Sequence, residues 1–141
     1  MTPLNSFLKL TPSYRDYVWG GEKLRPGYYP TAEAWVVWEN DLIESDALVG
    51  KTLGEVSAQF GEAFLGAKAL SLTGTRFPLL IKLLDCAQWL SLQVHPNDQQ
   101  AVEIEGPNQF GKTEAWHILD SEPAAKLVAG VKPNTSPDVL A

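Results

Sequence analysis

Cysteine and histidine are scarce in this chain of 141 residues, which has one cysteine, Cys86, and two histidines. A single cysteine excludes an intramolecular disulfide and a zinc site built from several cysteines. We expect Cys86 to be a small buried side chain within the mostly apolar run 83–86.

Long apolar runs are also missing. The longest, residues 77–81, is far shorter than the roughly 20 residues that a membrane-spanning helix needs. No signal peptide is evident, because Lys9 and Arg15 follow a short apolar stretch instead of preceding a long one. We therefore expect a cytoplasmic protein that has no membrane partner.

Positively charged residues are also few. The chain has 11 lysines and arginines against 17 aspartates and glutamates, which gives a net charge of -6. This balance argues against nucleic acid as a partner, because binding phosphate backbones requires a basic stripe. A local lysine can still bind an anionic sugar phosphate. The content of 45% hydrophobic and 20% charged residues is typical of a globular protein, and we expect one unit over residues 1–141 without an internal boundary.

One helix is predicted by a capping box, in which Thr52 and Glu55 each satisfy a free backbone N–H of the first turn. Apolar residues follow at helical spacing, and Gly66 is a suitable stop. The apolar residues are Leu53, Val56, Phe60 and Phe64. We expect this helix to pack its apolar face on a sheet.

The rest of the sequence favours short strands over helices. Strands are predicted over residues 34–38, 77–85, 88–95, 112–119 and 126–131, with a short helical segment near 99–104. This pattern predicts a mainly β fold, a sandwich or barrel with one or two covering helices.

Two of these predicted strands carry polar side chains that can bind a metal. Alternation places Gln93 and His95 on the polar face of one strand, and Lys112 and Glu114 on one face of the other. If the two faces meet inside a barrel, an amide oxygen, an imidazole and a carboxylate converge, a set suited to zinc or another divalent ion. The alternative is a merely solvated face. His117 falls on the opposite face, so we expect a packed or surface histidine there.

Residues 106–113 match the G-x-x-x-x-G-K-[ST] pattern of phosphate-binding loops. That loop needs a buried strand before it and a helix after it. The preceding residues 102–105 are too charged for a central strand, and residues 116–119 are predicted as β. We therefore do not expect a nucleotide site.

Several segments, taken in order, resemble the type I mannose-6-phosphate isomerases, which are zinc enzymes of the cupin superfamily. The strongest are Leu90-Ser91-Leu92-Gln93-Val94-His95-Pro96-Asn97-Asp98 and Gly111-Lys112-Thr113-Glu114-Ala115-Trp116, and 19–21, 32–35, 50–53 and 77–82 also fit. The resemblance implies an incomplete cupin-like jelly roll. It also implies that Gln93, His95 and Glu114 bind zinc, and that Lys112 is an active-site residue. Lys82 and Ser91 match positions near the substrate.

The implied reaction interconverts mannose 6-phosphate and fructose 6-phosphate through a cis-enediol. A general base must reach the C2 proton, and the sequence does not identify it. Lys112 could instead serve as a phosphate or oxyanion partner.

The resemblance is to the N-terminal part of these longer enzymes, whose fourth zinc ligand is a histidine in a later segment. We expect the 141-residue chain to be inactive by itself, with a C-terminal part or a homo-oligomer supplying the missing strands and ligand. The alternative is a cupin-like module that binds a metal or sugar phosphate without catalysis.

Overall fold

The computed structural model describes residues 7–139 and contains three strands and four α-helices in that range. The strands are β1 (Ser13–Arg15), β2 (Glu33–Val37) and β3 (Ile81–Leu84); the helices are α1 (Leu53–Phe60), α2 (Glu62–Leu65), α3 (Ala67–Thr73) and α4 (Asp98–Glu105). Two single turns of 3-10 helix cover Asp46–Leu48 and Pro137–Val139. None of the helices in this range is long and apolar enough to cross a bilayer.

The described residues divide into two compact units, one ending at Leu92 and the other beginning at Gln93. The first unit contains the sheet and helices α1 to α3, and the second contains α4 and the irregular chain that follows it. The expectation of a single domain stays a prediction.

The sheet is antiparallel with the order β1-β2-β3. Its register places Lys82 opposite Trp35, and Glu33 lies two residues before Trp35 on the same strand. These three side chains therefore share a face of the sheet. The buried Glu33 carboxylate accepts hydrogen bonds from Trp35 Nε1 at 2.6 Å and from Lys82 Nζ at 3.1 Å.

Helix α1 begins as the capping box predicts. Glu55 N donates to Thr52 Oγ1 at 3.1 Å, and Thr52 N donates to Glu55 Oε2 at 2.8 Å. The helix does not continue to Gly66, because Gly61 takes a φ of 49° and ends it after Phe60. Glycine adopts this left-handed region without a steric penalty, so one predicted helix becomes the separate helices α1 and α2, and α3 was not predicted.

The core of the first unit lies beneath helix α1. Its buried residues are Ile43, Leu48, Leu53 and Val56. Partly buried apolar side chains surround them, including Val37 of the sheet and Phe60 at the end of the helix. The predicted packing of the helix through Leu53 and Val56 is therefore confirmed.

The mainly β prediction is supported only in part. Strand β2 matches the predicted strand 34–38 closely, and β3 covers the second half of the predicted strand 77–85. The strands predicted over 88–95, 112–119 and 126–131 are wrong, because the structure describes no ladder in those segments. A strand forms only through hydrogen bonds to a neighbouring strand, and apolar alternation does not supply that neighbour.

Cys86 is exposed, which corrects the expectation of a buried side chain. It follows β3 and its backbone pairs with Gly20 in an isolated bridge. Local desolvation and the negative charges of Asp85 and Glu33 raise the pKa of the thiol. The protonated form, which is the less reactive one, is therefore favoured at neutral pH.

Asp41 is an acidic residue within the first unit that is 1% exposed. Its Oδ1 accepts a hydrogen bond from Ser13 Oγ at 3.1 Å, whereas Oδ2 is buried without a hydrogen-bond partner among the described residues. Burial raises the pKa of this carboxyl above its usual value, against smaller opposing effects of Ser13, the backbone of Trp38 and Arg15. Folding therefore favours the protonated form of Asp41.

We predict that Asp41→Asn stabilises the chain at neutral pH by about 1 kcal/mol, the lower range for an unsatisfied buried polar group. In the wild type, the raised pKa makes stability fall as pH rises from 3.8 through the folded-state pKa. The asparagine cannot ionise, so the stability difference should grow over that window and then remain constant. Urea unfolding at a series of pH values measures it.

The matched control is Asp138→Asn, which changes the same charge at an exposed position. This variant should follow the wild-type profile within about 0.5 kcal/mol at every pH. A pH-independent difference between Asp41→Asn and the wild type would show that ionisation of Asp41 does not limit stability.

Candidate functional site

The first fixed part of the site is the turn that precedes helix α4. Asn97 caps this helix, because Gln100 N donates to Asn97 Oδ1 at 2.9 Å and Asn97 N donates to Gln100 Oε1 at 3.1 Å. Such a reciprocal capping box fixes the direction in which the chain enters a helix. The cap therefore fixes the backbone just after His95 and Pro96.

The second fixed part is the contact of Gly111 with this turn. Gly111 N donates to Asp98 Oδ1 at 2.8 Å, and Lys112 N donates to Pro96 O at 3.1 Å. A Cβ on Gly111 would lie 2.5 Å from the carbonyl carbon of Asn97, a distance that real Cβ atoms do not show. Glycine is therefore required where these two backbones meet, and the contact holds Lys112 beside His95.

Three predicted site residues lie together at this contact. Lys112 Nζ is 3.1 Å from His95 Nε2 and 2.8 Å from Glu114 Oε2. His95 Nε2 is 3.9 Å from Glu114 Oε1. The side chains of His95, Glu114 and Lys112 are 27%, 23% and 42% exposed. The group is thus open to solvent on one side.

The contacts also define the hydrogen-bonding state of His95. A lysine ammonium has only donors, so a hydrogen bond from Lys112 Nζ to His95 Nε2 uses the imidazole nitrogen as the acceptor. The separation of 3.9 Å between His95 Nε2 and Glu114 Oε1 is longer than a hydrogen bond. The lone pair of His95 Nε2 faces the same point as the glutamate carboxylate. In this arrangement the ammonium bridges two groups that are also metal ligands by type.

Trp116 is a member of the group that the sequence analysis missed. Its Nε1 donates to Glu114 Oε1 at 2.5 Å, so each oxygen of the carboxylate has its own donor. A signal was present in the sequence, because Glu-Ala-Trp occurs at 114–116 and again at 33–35. In both copies the indole donates to the glutamate two residues earlier and a lysine ammonium contacts the other oxygen.

The other predicted residues lie as follows. Gln93 is exposed and lies two residues before His95, and its role as a ligand stays a prediction. His117 is exposed and, in the described part of the chain, is outside the group formed by His95, Lys112 and Glu114. Lys82 and Ser91 belong to the first unit, where Lys82 pairs with Glu33.

The donor set fits a divalent cation such as zinc, which binds imidazole and carboxylate ligands. Two ligands at zinc bonding distance in a tetrahedral site are about 3.3 Å apart, and His95 Nε2 and Glu114 Oε1 are 3.9 Å apart. No three histidine, cysteine, aspartate or glutamate side chains group for a metal among residues 7–139.

The phosphate-binding loop motif over 106–113 lacks the structure that the motif requires. Helix α4 precedes it and ends at Glu105, with Gly106 as its C-cap. No α-helix begins after Thr113 in the described chain. The backbone N–H of Gly111 is instead bound by Asp98. The segment therefore lacks the following helix that the motif requires, and its Lys112 lies beside His95.

Comparison with known proteins identifies relatives of this chain. The family model for the type I phosphomannose isomerase catalytic domain matches residues 7–115. The mannose-6-phosphate isomerase of Streptococcus mutans is 34% identical over 123 residues, covering 80% of this chain and 37% of that protein. Mannose-6-phosphate isomerase ManA of Bacillus subtilis is 33% identical over 137 residues, covering 91% and 42%. The chain thus spans about two fifths of the length of the curated relatives it matches.

The fold agrees with this relationship. The crystal structure of a mannose 6-phosphate isomerase from Bacillus subtilis superposes with a TM-score of 0.63 at 32% sequence identity, over 74% of this chain and 34% of that one. The matched family segment includes His95, Lys112 and Glu114. On the evidence of sequence and fold together, the chain belongs to the type I phosphomannose isomerase family, within its catalytic domain.

Proposed function

We propose that this chain carries the metal-binding part of an aldose–ketose isomerase that interconverts mannose 6-phosphate and fructose 6-phosphate through a cis-enediol. Gln93, His95 and Glu114 hold one zinc ion, and Lys112 acts on the substrate beside it. The observation that carries the proposal is the contact of His95, Lys112 and Glu114 in one group, within a chain whose relatives are named mannose-6-phosphate isomerases.

When bound, zinc would supply a Lewis acid that holds the sugar oxygens and stabilises negative charge as the proton leaves C2. Residues of this chain supply the groups that would hold such an ion. His95 directs Nε2 toward the Lys112 ammonium and Glu114, and an imidazole nitrogen is a common zinc ligand. Glu114 supplies the negative charge that a divalent cation requires. The capped turn and Gly111 hold these groups in place before any substrate arrives.

Lys112 has the most direct chemical role that the contacts support. Its ammonium contacts His95 Nε2 and Glu114 Oε2, so Lys112 would lie beside any cation held by His95 and Glu114. From that position the ammonium would donate to the substrate oxygen that gains negative charge. The general base for the C2 proton is not assigned by these contacts.

Lys82 and Ser91 are proposed to lie near the substrate. Lys82 pairs with the buried Glu33, with side-chain exposures of 20% and 8%. The proposal for both residues rests on their match to family positions near the substrate.

We predict that His95→Ala and Glu114→Gln weaken zinc binding at least 100-fold. The reason is that removing a ligand costs more than the roughly 10- to 100-fold loss caused by changing a partner of a ligand. Competition with a chromophoric chelator measures the dissociation constant. His117→Ala is the matched control, because it removes an exposed imidazole outside the group, and it should change the constant less than about twofold. Equal losses in His95→Ala and His117→Ala would contradict the assigned ligands.

We predict that Lys112→Met tightens zinc binding about tenfold, which is about 1.4 kcal/mol. The substitution removes a positive charge that contacts both proposed ligands, and a unit charge about 4 Å from a divalent ion is repelled by about 2 kcal/mol even at the dielectric constant of water. Lys126→Met removes an exposed lysine charge elsewhere in the same unit and should leave the affinity within about twofold. Weaker zinc binding in Lys112→Met would show that Lys112 supports the metal instead of competing with it.

The isomerase function is tested with zinc and fructose 6-phosphate in a coupled assay. We expect the 141-residue chain alone to turn over far below about 1 per second, a modest rate for an enzyme. Adding the part of Bacillus subtilis ManA that lies beyond the match should raise the rate, and that part alone is the control. His95→Ala and Gln93→Ala should abolish the gain.

Other outcomes separate the alternatives. Turnover near 1 per second by the chain alone would contradict its inactivity and support the isomerase. Zinc binding without turnover in any mixture would favour a cupin-like module that binds a metal or sugar phosphate without catalysis. Absence of zinc binding would contradict the proposed metal site, and absence of both metal binding and sugar-phosphate binding would contradict the module as well.

A further inference from the structure

The carboxylate of Glu114 is held by two donors of different kinds. Trp116 Nε1 donates to Oε1 at 2.5 Å, and Lys112 Nζ contacts Oε2 at 2.8 Å. Oε1 is also the oxygen that lies 3.9 Å from His95 Nε2. The indole thus binds the same Glu114 oxygen that lies near His95 Nε2.

We infer that Trp116 is a positioning residue that orients Glu114 Oε1 toward the cation shared with His95. This inference rests on the proposed metal site. A carboxylate oxygen has two lone pairs, so Oε1 can accept from the indole and still bind a cation. Outer partners of this kind fix the orientation of a ligand and its basicity.

The indole is the donor that can remain when a cation binds. A cation that takes His95 Nε2 and a Glu114 oxygen displaces the Lys112 ammonium, because like charges at this distance repel. Trp116 carries no charge and contacts the carboxylate from its own side, two residues along the chain. Without the hydrogen bond from Trp116, ordering the Glu114 side chain on a cation would cost more conformational entropy.

The indole–carboxylate hydrogen bond also forms at the other Glu-Ala-Trp sequence of the chain, which indicates that the local sequence favours it. Trp35 Nε1 donates to Glu33 Oε2 at 2.6 Å inside the sheet, and Lys82 contacts the other oxygen. Glu-Ala-Trp therefore makes the indole–carboxylate bond both in a paired strand and in the irregular segment after Gly111. The bond at Glu114 does not depend on strand pairing.

The test compares zinc affinity in Trp116→Phe with the wild type, because phenylalanine keeps an aromatic ring and removes the N–H. We expect binding to weaken about tenfold, the lower range for loss of such a partner. Trp89→Phe is the control, since Trp89 is 65% exposed and forms no hydrogen bond through its indole among the described residues. Its affinity should stay within about twofold, and far-UV circular dichroism should match in all three proteins.

A double-mutant cycle separates positioning from a general structural effect. In a Glu114→Ala background, Trp116→Phe should change the zinc dissociation constant less than about twofold, because the residue acts only through Glu114. A weak chelator with zinc up to millimolar concentration keeps both constants measurable. The same tenfold loss in both backgrounds would overturn the inference.

The remaining outcomes are also decisive. If the wild type binds zinc, His95→Ala loses it and Trp116→Phe does not weaken it, the positioning role is wrong and the proposed metal site stands. If the wild type binds no zinc, both are wrong.

Discussion

The close contact between Gly111 and the turn at 96–98 is the constraint on which the candidate site depends. His95 precedes that turn, and Lys112 and Glu114 follow Gly111, so the two halves of the site are joined by this one approach of two backbones. A side chain at 111 would collide with the backbone of Asn97. Since the cap by Asn97 fixes the turn from the helix side, neither half of the site can shift without losing a hydrogen bond.

Two glutamates of the chain are held by the same local arrangement of hydrogen bonds. Glu33 and Glu114 each receive an indole N–H from two residues further on and a lysine ammonium on the other oxygen. The copies differ in environment, since the Glu33 side chain is 8% exposed and that of Glu114 is 23% exposed. Breaking the buried pair leaves an uncompensated charge in the core, whereas the open pair can exchange its lysine for another cation. The same contacts therefore serve structure in one unit and leave room for chemistry in the other.

The sequence predicted the start of helix α1 and its buried face correctly, because capping boxes and apolar spacing act within a few residues. The apolar spacing did not predict the end of helix α1 at Gly61, because a glycine can take a positive φ and end a helix even where the apolar pattern continues. The sequence predicted that His95, Lys112 and Glu114 converge, but by alternation on paired strands that the structure does not contain. What brings them together is a contact between Gly111 and Asp98, thirteen residues apart in sequence. The alternation of side chains along a strand does not predict such a contact. The resemblance to the isomerase family indicated the same three residues without depending on strand pairing.

Under the proposed function, charge balance favours a sugar phosphate over a neutral sugar. Among the contacts described, the Glu114 carboxylate and the Lys112 ammonium offset each other. A divalent cation would leave the group with a surplus of two positive charges. A phosphate monoester carries about -1.5 to -2 charge at neutral pH, which offsets that surplus. In a chain with a net charge of -6, a bound cation would supply positive charge that attracts an anion, so under the proposed function metal binding and substrate recognition would be linked by electrostatics.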